Sequence, residues 1–502
     1  MKRIILYSAF MLLAATGCNK QLDIKPEGVF TEPQVVNSQA TAEALLGDMY
    51  LKTYAASVTP TQGGIGHSIG DITTGITTLL GTSTSTALVN GTVRSNDPFV
   101  AALWNGHYAA INEANVLINL LPKENWNTSL QNTFIAEAKF ARAFNYFQLL
   151  CLFGEKALNG GMDKMGVPIR LINFNGYDQS QNIPRNTNRE VYAQILKDLD
   201  EAAAALTNTE VDAFKLRARA QAASCHALAS RVALYMGDND KAIAYSDLVL
   251  AVTAKYTLLS SPALVFPDNG AGAYLNLPFT NEWIWCFPVS YNKNTNSSSG
   301  DIAYHGVGYF FKTGIWPNPT FISSYGATDI RKNMFVMGNT PAVTTTGRLC
   351  PLKFSSGSGS VTPVRAPAST NQSRDNIVVL RLAEINLNKA EALVKKNGLT
   401  QTAVDLLNAI HVRAGLPAYT LAGFANADAL LFAILRERRW EFAFEGMDRY
   451  DQIRIGEKAG LPADLGIMNL NSSLTNPNFW ALPIPSNDVV LTQGIIKQNP
   501  GY

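Results

Sequence analysis

The sequence has little charge and almost no excess of either sign. Only 16% of its 502 residues are charged, and 41 Lys and Arg against 39 Asp and Glu leave a net charge of +2. Proteins that bind nucleic acid usually carry a basic face, so this balance argues against a nucleic-acid partner. The hydrophobic fraction of 47% argues against a disordered chain and is enough for a large core with more than one lobe.

Histidine and cysteine are scarce, and their spacing does not indicate a metal site. The sequence has no H-E-x-x-H motif, no two cysteines lie close together, and five histidines are scattered along it: His67, His107, His226, His305 and His411. We therefore predict no metal and no cofactor. Cys151 and Cys225 fall within helical patterns and are predicted to be buried thiols. A disulfide that involves Cys286 or Cys350 remains an open alternative.

Motifs of nucleophilic catalysis are weak. GHSIG at 66–70 matches the G-x-S-x-G nucleophile elbow, which requires a buried strand before it and a helix after it. The flanks are rich in Gly and Thr and fit neither element. We interpret this stretch as a glycine-rich loop, and Ser68 is not predicted to be catalytic.

Glu437, Glu441 and Glu445 recur at intervals of four, as neighbours on one face of a helix would. A glycosidase needs two carboxylates at about such a distance, so a glycoside hydrolase is a remote alternative. Three arginines are interleaved with them: Arg436, Arg438 and Arg439. Arginines hold neighbouring acids ionised, whereas a general acid needs a raised pKa. We predict a structural ion-pair network here and no enzyme activity.

Only one long apolar run is present, at 4–15, and it is too short to span a bilayer. Lys2 and Arg3 precede it, and small residues lead from Ala15 to Cys18. This order predicts a cleaved signal peptide over 1–17 with lipid attachment at Cys18, as in a bacterial lipobox, although Ala15 replaces the usual Leu. Acylation of Cys18 would anchor the protein to a membrane.

Helical periodicity predicts a mainly α fold. Apolar residues recur at helical spacing over 100–121, the 129–153 stretch is apolar almost all round, and 188–206 and 214–236 give two more helices. Small residues near 237–243 and again near 390–403 are typical of tetratricopeptide-like helix hairpins. The predicted domains are the signal peptide 1–17, a helical scaffold 18–260 with a loop insert 57–97, an irregular subdomain 261–374 with short strands, and a helical scaffold 375–502.

The irregular subdomain carries aromatic residues next to polar amides. Flat aromatic faces cover the C–H face of a sugar ring, and polar side chains bind its hydroxyls. We therefore predict a carbohydrate-binding surface, with these candidate ligand residues: Trp316, Tyr304, Tyr291, Asn292, Asp71 and His67. The alternative, that the aromatics form the core of the subdomain, stays open. Trp283 and Trp285 alternate in a strand-like run and are predicted to pack inward.

The C-terminal third carries motifs of a known family. They are RLAEINL at 381–387, AEA at 390–392, VRAGL at 412–416, ERRWEFAFEG at 437–446, DQIR at 451–454, LPIP at 482–485 and QNPGY at 498–502. Together with Cys18 and the stretches 104–121 and 137–154, they resemble the SusD/RagB family of Bacteroidetes outer-membrane lipoproteins. The resemblance covers most of the chain.

This resemblance implies four degenerate tetratricopeptide-like hairpins below a variable irregular subdomain. It also implies a non-catalytic receptor at the outside of the cell outer membrane, which binds oligosaccharides and passes them to a SusC-like TonB-dependent transporter. A RagB-like receptor for peptides with the same fold is the alternative. Family ligand sites lie in the variable loops, so no ligand residue is transferred by motif.

Overall fold

Helices make up more than half of the described chain. The computed structural model describes residues 36–58, 69–79, 84–174, 176, 179–266, 279–288, 315–337, 349–351, 353, 376–456, 458–465 and 473–502. The long helices are α1 (Gln39–Val58), α2 (Pro98–Leu120), α3 (Thr128–Phe153), α4 (Asn188–Ala205), α5 (Ala222–Met236), α6 (Asn239–Leu250), α7 (Leu382–Asn397), α8 (Gln401–His411), α9 (Ala427–Glu441) and α10 (Asp448–Ile455). Shorter helices are Ile69–Ile72, Thr84–Asn90, Ala213–Ala218, Pro262–Val265, Pro319–Ser323 and Ser486–Leu491.

The helix boundaries follow local sequence signals. Asp97 caps α2 by accepting a hydrogen bond from the Phe99 N–H, and Pro98 occupies the first turn. Thr187 and Glu190 form a capping box at the start of α4. Gly237 ends α5 with a φ of +86°, a conformation that glycine adopts without strain.

Successive helices pack as hairpins. α1 packs on α2, α2 on α3 and α3 on α4, and the α5–α6 and α7–α8 pairs are each joined by a short turn. These two turns contain Gly237 and Gly398 and are those that small residues near 237–243 and 390–403 predicted. The mainly α, tetratricopeptide-like fold is therefore confirmed. None of the described helices is long and apolar enough to span a membrane.

One predicted helix is wrong. The stretch 214–236 is broken into Ala213–Ala218 and α5. Between them Arg219 is extended, and its guanidinium donates two 2.6 Å hydrogen bonds to the buried carboxylate of Glu137 on α3. The N–H of Ala220 binds the Tyr50 hydroxyl at 3.0 Å. These contacts with α3 and α1 replace the helical hydrogen bonds that the sequence pattern alone suggested.

Helix α3 forms the centre of the main hydrophobic core. Its side chains are buried on nearly all faces, as its apolar composition predicted, and Phe140 and Phe144 pack edge to face on Trp285. Trp283 and Trp285 are buried, which confirms that they face inward. Cys151, Cys225 and Cys286 are buried free thiols, so the disulfide alternative is wrong for Cys286.

The described strands form three two-stranded antiparallel pairs. β1 (Thr77–Leu79) pairs with β3 (Ile315–Pro317), β2 (Trp283–Phe287) with β6 (Ile377–Arg381), and β4 (Phe335–Met337) with β5 (Leu349–Pro351). Short strands in the irregular subdomain were predicted. The insert 57–97 was predicted as loop but also contains β1 and the helices Ile69–Ile72 and Thr84–Asn90.

Candidate functional site

The β1–β3 pair joins the two irregular segments that the sequence predicted as a binding surface. Thr78 lies opposite Trp316 in this antiparallel register. Asn318 extends the junction, because its backbone N–H donates to the Ile76 carbonyl and its side-chain amide donates to the Gly75 carbonyl, both at 2.8 Å. The insert and the middle segment therefore meet at one place on the helical scaffold.

The segment 69–74 rests on the turn that follows α9. Gly70 approaches Gly446 so closely that a Cβ added at Gly70 would lie 1.8 Å from the Gly446 carbonyl oxygen. The Arg449 guanidinium donates to the Thr73 hydroxyl at 3.2 Å. These contacts fix the position from which β1 extends, so the scaffold determines where β3 and Trp316 lie.

Asp71 is part of this contact and is fully buried. Its Oδ2 accepts a 2.8 Å hydrogen bond from the Gly446 N–H, and its side chain has no solvent exposure. Burial raises the pKa of Asp71 well above the usual range, and the neighbouring Asp448 and Glu445 raise it further. This placement argues against the predicted ligand contact, because a bound sugar could not reach an enclosed carboxyl group.

The other predicted ligand residues lie wholly or partly outside the described residues. His67, Tyr291, Asn292 and Tyr304 lie outside them, as do Cys18 and the segment 1–17. The backbone of Trp316 belongs to β3, but its side chain is not among the described side chains. These residues remain predictions.

Exposed hydroxyl side chains occur in β1 and shortly after β3. They are Thr78 in β1, and Thr320 and Ser324 after β3. Trp440 on α9 is half-buried, stacks on Tyr325 with 6.0 Å between ring centroids, and donates its indole N–H to the Ser324 hydroxyl at 3.1 Å. Sequence reasoning missed Trp440 as a functional candidate. The signal was a Trp in the charged motif at 437–446, which we interpreted as structural.

An interior cavity of about 60 Å³ lies at the base of both irregular segments. Ser57 and Phe287, which line it, belong to the insert and to the middle segment respectively, and Gly446 connects it to the turn below Gly70. Its apolar walls are Leu103, Phe144, Phe147, Leu152 and Phe287. Its polar groups include Ser57, His107, Gln148, Arg231, Tyr235 and Tyr450. The cavity is partly open, and apolar walls with a few polar groups are typical of small-molecule sites.

The carboxylates of the 437–446 motif belong to a buried charge network, as predicted. The network consists of Glu282, Asp329, Arg331, Lys353, Arg381, His411, Arg413, Glu437, Glu441 and Glu445. Glu445 lies beyond the end of α9, so the three acids do not share one helix.

The predicted partners within this network are wrong. Glu441 pairs with Arg331, Arg381 and Arg413, which come from other parts of the chain. Arg436, Arg438 and Arg439 instead bind other acids: Asp464, Asp451 and Asp448. Helical spacing could not reveal these partners, because they approach α9 from neighbouring elements.

This network is unsuited to acid catalysis. Although burial opposes ionisation, Arg413, Arg381 and Arg331 hold the pKa of Glu441 well below its usual range. Arg381 and Lys353 likewise lower the pKa of Glu445. A glycosidase needs one carboxyl group that stays protonated near neutral pH, and these two acids are ionised there. Within the described part of the chain, no cluster of three or more His, Cys, Asp or Glu residues could hold a metal ion.

Known protein families match the N-terminal and the C-terminal parts of the chain. The family model described as "SusD family" matches residues 336–502, and the one described as "Starch-binding associating with outer membrane" matches residues 22–234. A curated relative, SusD-like protein P2 of Formosa agariphila, is 25% identical over 543 residues, which cover all of both chains.

Solved structures share the fold along nearly the whole chain. A SusD superfamily protein from Bacteroides thetaiotaomicron has a TM-score of 0.71 at 22% identity and covers 92% of this chain and 99% of its own. Surface glycan-binding protein A from the same organism has a TM-score of 0.70 at 18% identity, with 93% and 100% covered. The two family models, the full-length relative and the shared fold agree, and this chain belongs to the SusD/RagB family.

Proposed function

We propose that this protein is a non-catalytic receptor, anchored by lipid on Cys18 to the outer face of the outer membrane, that binds oligosaccharides and delivers them to a SusC-like TonB-dependent transporter. Membership of the SusD/RagB family carries this proposal. The description of one family model and the name of a structural neighbour both refer to carbohydrate binding.

The junction at β1 and β3 supports a location for the ligand. Two segments of irregular sequence meet there, above a scaffold that holds them through buried contacts. Exposed Thr78 lies opposite Trp316 in the strand register, and exposed Ser324 accepts a hydrogen bond from Trp440. Aromatic stacking on a sugar contributes about 1 kcal/mol per ring beyond area burial, so a platform of this kind gives modest affinity.

Affinity electrophoresis in gels that contain soluble glycans tests the ligand class. We expect the wild type to be retarded by at least one neutral glycan, and Trp316→Ala to lose most of this retardation. Phe174→Ala is the matched control, because Phe174 is an aromatic residue on the scaffold that is 51% exposed. Equal retardation of both variants would place the glycan elsewhere.

Calorimetry against glycan and peptide pools distinguishes the two receptor classes. Heat with the glycan pool alone supports the proposal, and heat with the peptide pool alone would favour the RagB-like alternative.

The membrane anchor is tested separately. Cys18→Ser should leave ligand binding intact but abolish acylation, measured by mass spectrometry of the N-terminal peptide, and should release the protein from the membrane.

A further inference from the structure

The interior cavity contains several polar groups that no described residue satisfies. The hydroxyls of Tyr235 and Tyr450 make no hydrogen bond with described residues, nor does the Gln148 side chain. Arg231 donates from Nε and Nη2 to the Glu384 carboxylate, and Nη2 also donates to the Val379 carbonyl. Its Nη1 has no described partner. Polar groups that converge in one cavity usually bind water or a ligand.

His107 adds an acceptor to this set. Its Nδ1 lies 2.8 Å from Oδ1 of Asn145, and the amide nitrogen of Asn145 donates to Thr53 and Ala141. Burial lowers the pKa of His107 to about 4, so the ring is neutral at neutral pH. Nδ1 therefore carries the proton that Asn145 accepts, and Nε2 is left as a bare acceptor.

The charged side chains at the cavity are already neutralised. Arg231 forms a bidentate pair with Glu384 at 2.6 Å for both bonds. Glu445 pairs with Lys353 and Arg381. Burial raises the pKa of both Tyr235 and Tyr450, so they remain neutral hydroxyls. A ligand with a net charge would find no unpaired opposite charge here, which favours a neutral ligand that exchanges hydrogen bonds.

The size of the cavity restricts the ligand further. Its volume of about 60 Å³ is enough for about four to six water molecules, because each needs roughly 10–15 Å³ of such space. A whole sugar ring does not fit, but two neighbouring hydroxyls at the edge of a ring need a similar space. The carbons between these two hydroxyls would contact an apolar wall formed by Phe144, Phe147 and Phe287. The rest of the sugar ring would extend out of the cavity past Ser57 and Tyr450, which are half-buried.

We propose that the interior cavity binds a vicinal diol, the edge of a neutral sugar, through Tyr235, Tyr450, His107 and Gln148. The inference rests on the proposed function and deepens it, because it selects neutral over acidic sugars and adds a second contact below the β1–β3 junction. Stacking at the surface tolerates many sugars, whereas a cavity that requires two hydroxyls in fixed positions selects among them.

Two small molecules of equal size test the cavity directly. Ethane-1,2-diol is a neutral vicinal diol, and glycolate replaces one of its hydroxymethyl groups with a carboxylate. In crystals of the full protein soaked at equal concentrations, we expect the diol within hydrogen-bond distance of Tyr235 and Tyr450, and water alone with glycolate. Water alone with the diol, or equal occupancy by glycolate, would overturn the proposal.

A measurement in solution tests whether the diol binds only at the high concentration used in the crystals. The Tyr235→Phe/Tyr450→Phe double variant keeps the shape of the cavity and removes two unpartnered hydroxyls, so its melting temperature should not change. Saturation-transfer NMR should show at least a tenfold weaker interaction with the diol. Tyr256→Phe is the control, because the Tyr256 hydroxyl is also buried without a described partner but does not line the cavity.

The oligosaccharide that the glycan screen identifies then separates the two proposals. We expect the double variant to bind it at least tenfold more weakly than Tyr256→Phe. If both variants bind it equally, the cavity proposal fails and the receptor function stands. If no oligosaccharide binds but the diol still occupies the cavity, the receptor function fails and the diol site stands.

Discussion

Gly70 has the tightest steric constraint among the described glycines. A Cβ there would lie 1.8 Å from the Gly446 carbonyl oxygen and 2.6 Å from its Cα, and both belong to backbone that cannot rotate away. Glycine is needed at this position for close approach, since its φ is not positive. The segment that leads to β1 can therefore reach the scaffold only because position 70 lacks a side chain.

Gly70→Ala should destabilise the protein by at least about 2 kcal/mol, because an overpacked contact between two backbones has to open. Gly47→Ala is the matched control: a Cβ at this helical position in α1 would meet nothing within 4 Å. The control should gain about 0.5–1 kcal/mol, the usual advantage of Ala over Gly in a helix. Urea unfolding of both variants measures the two changes, and an equal effect would show that the Gly70–Gly446 contact is not tight.

Asp71 should make stability depend on pH in the direction opposite to most acids. Its raised pKa means that the folded protein holds the proton more tightly than the unfolded chain. This contribution is complete below the unfolded pKa of about 4 and is lost as pH rises through the folded pKa. Burial is the main cause of this raised pKa, and the charged groups that also act on Asp71 are Asp448, Lys353 and Glu445.

Asp71→Asn removes this titration and keeps an acceptor for the Gly446 N–H. The stability of the variant relative to the wild type should rise with pH by up to about 1.4 kcal/mol per unit between the two pKa values, and then level off. Urea unfolding of both proteins across this pH range gives the difference. A constant difference would mean that Asp71 titrates normally.

At the scale of elements, the buried charge network fixes the irregular segments to the C-terminal scaffold. Asp329, Arg331 and Lys353 come from the middle of the chain, and their partners include Glu437 and Glu445. A buried pair contributes little over an apolar pair, but removing one partner leaves a charge without compensation. The network therefore makes the position of these segments sensitive to each of its members.

Glu441→Gln should destabilise the protein by about 3–5 kcal/mol, because it leaves Arg331, Arg381 and Arg413 with uncompensated buried charge. Glu201→Gln, which breaks the exposed pair with Lys139, should cost less than about 1 kcal/mol. The lowered pKa of Glu441 adds stability above its unfolded pKa, which is lost as pH falls through the folded value. Urea unfolding at neutral pH measures both variants, and similar losses would show that the network is solvated.

Elements whose structure follows from their own stretch of sequence could be predicted. Helices α2 and α3 each carry their apolar pattern within one stretch, so periodicity predicts both bounds and burial. The break at Arg219 depends on Glu137 in another helix, and the register of β1 with β3 joins segments far apart in the chain. Likewise the burial of Asp71 depends on Gly446. Local composition does not show such tertiary contacts, so it led to the prediction that Asp71 is a ligand residue.

At the scale of the whole molecule, the alkylation rates of three buried thiols show whether the protein unfolds as one unit. Cys151 on α3 and Cys225 on α5 belong to the main core cluster. Cys286 on β2 belongs to a smaller cluster formed mainly by residues of the middle segment. However, Trp285 and Phe287, its neighbours on β2, pack into the main core, so the strand links the two clusters. We therefore expect the three cysteines to become reactive together.

Burial raises the pKa of all three thiols, so none is a reactive thiolate in the folded protein. Alkylation in low concentrations of urea, followed by mass spectrometry of the cysteine peptides, should give one common rate equal to that of global unfolding. Faster modification of Cys286 alone would contradict this, and would show that the β2 region opens without the helical scaffold. A reductant should not change the rates at these three positions, because free thiols offer no disulfide to reduce.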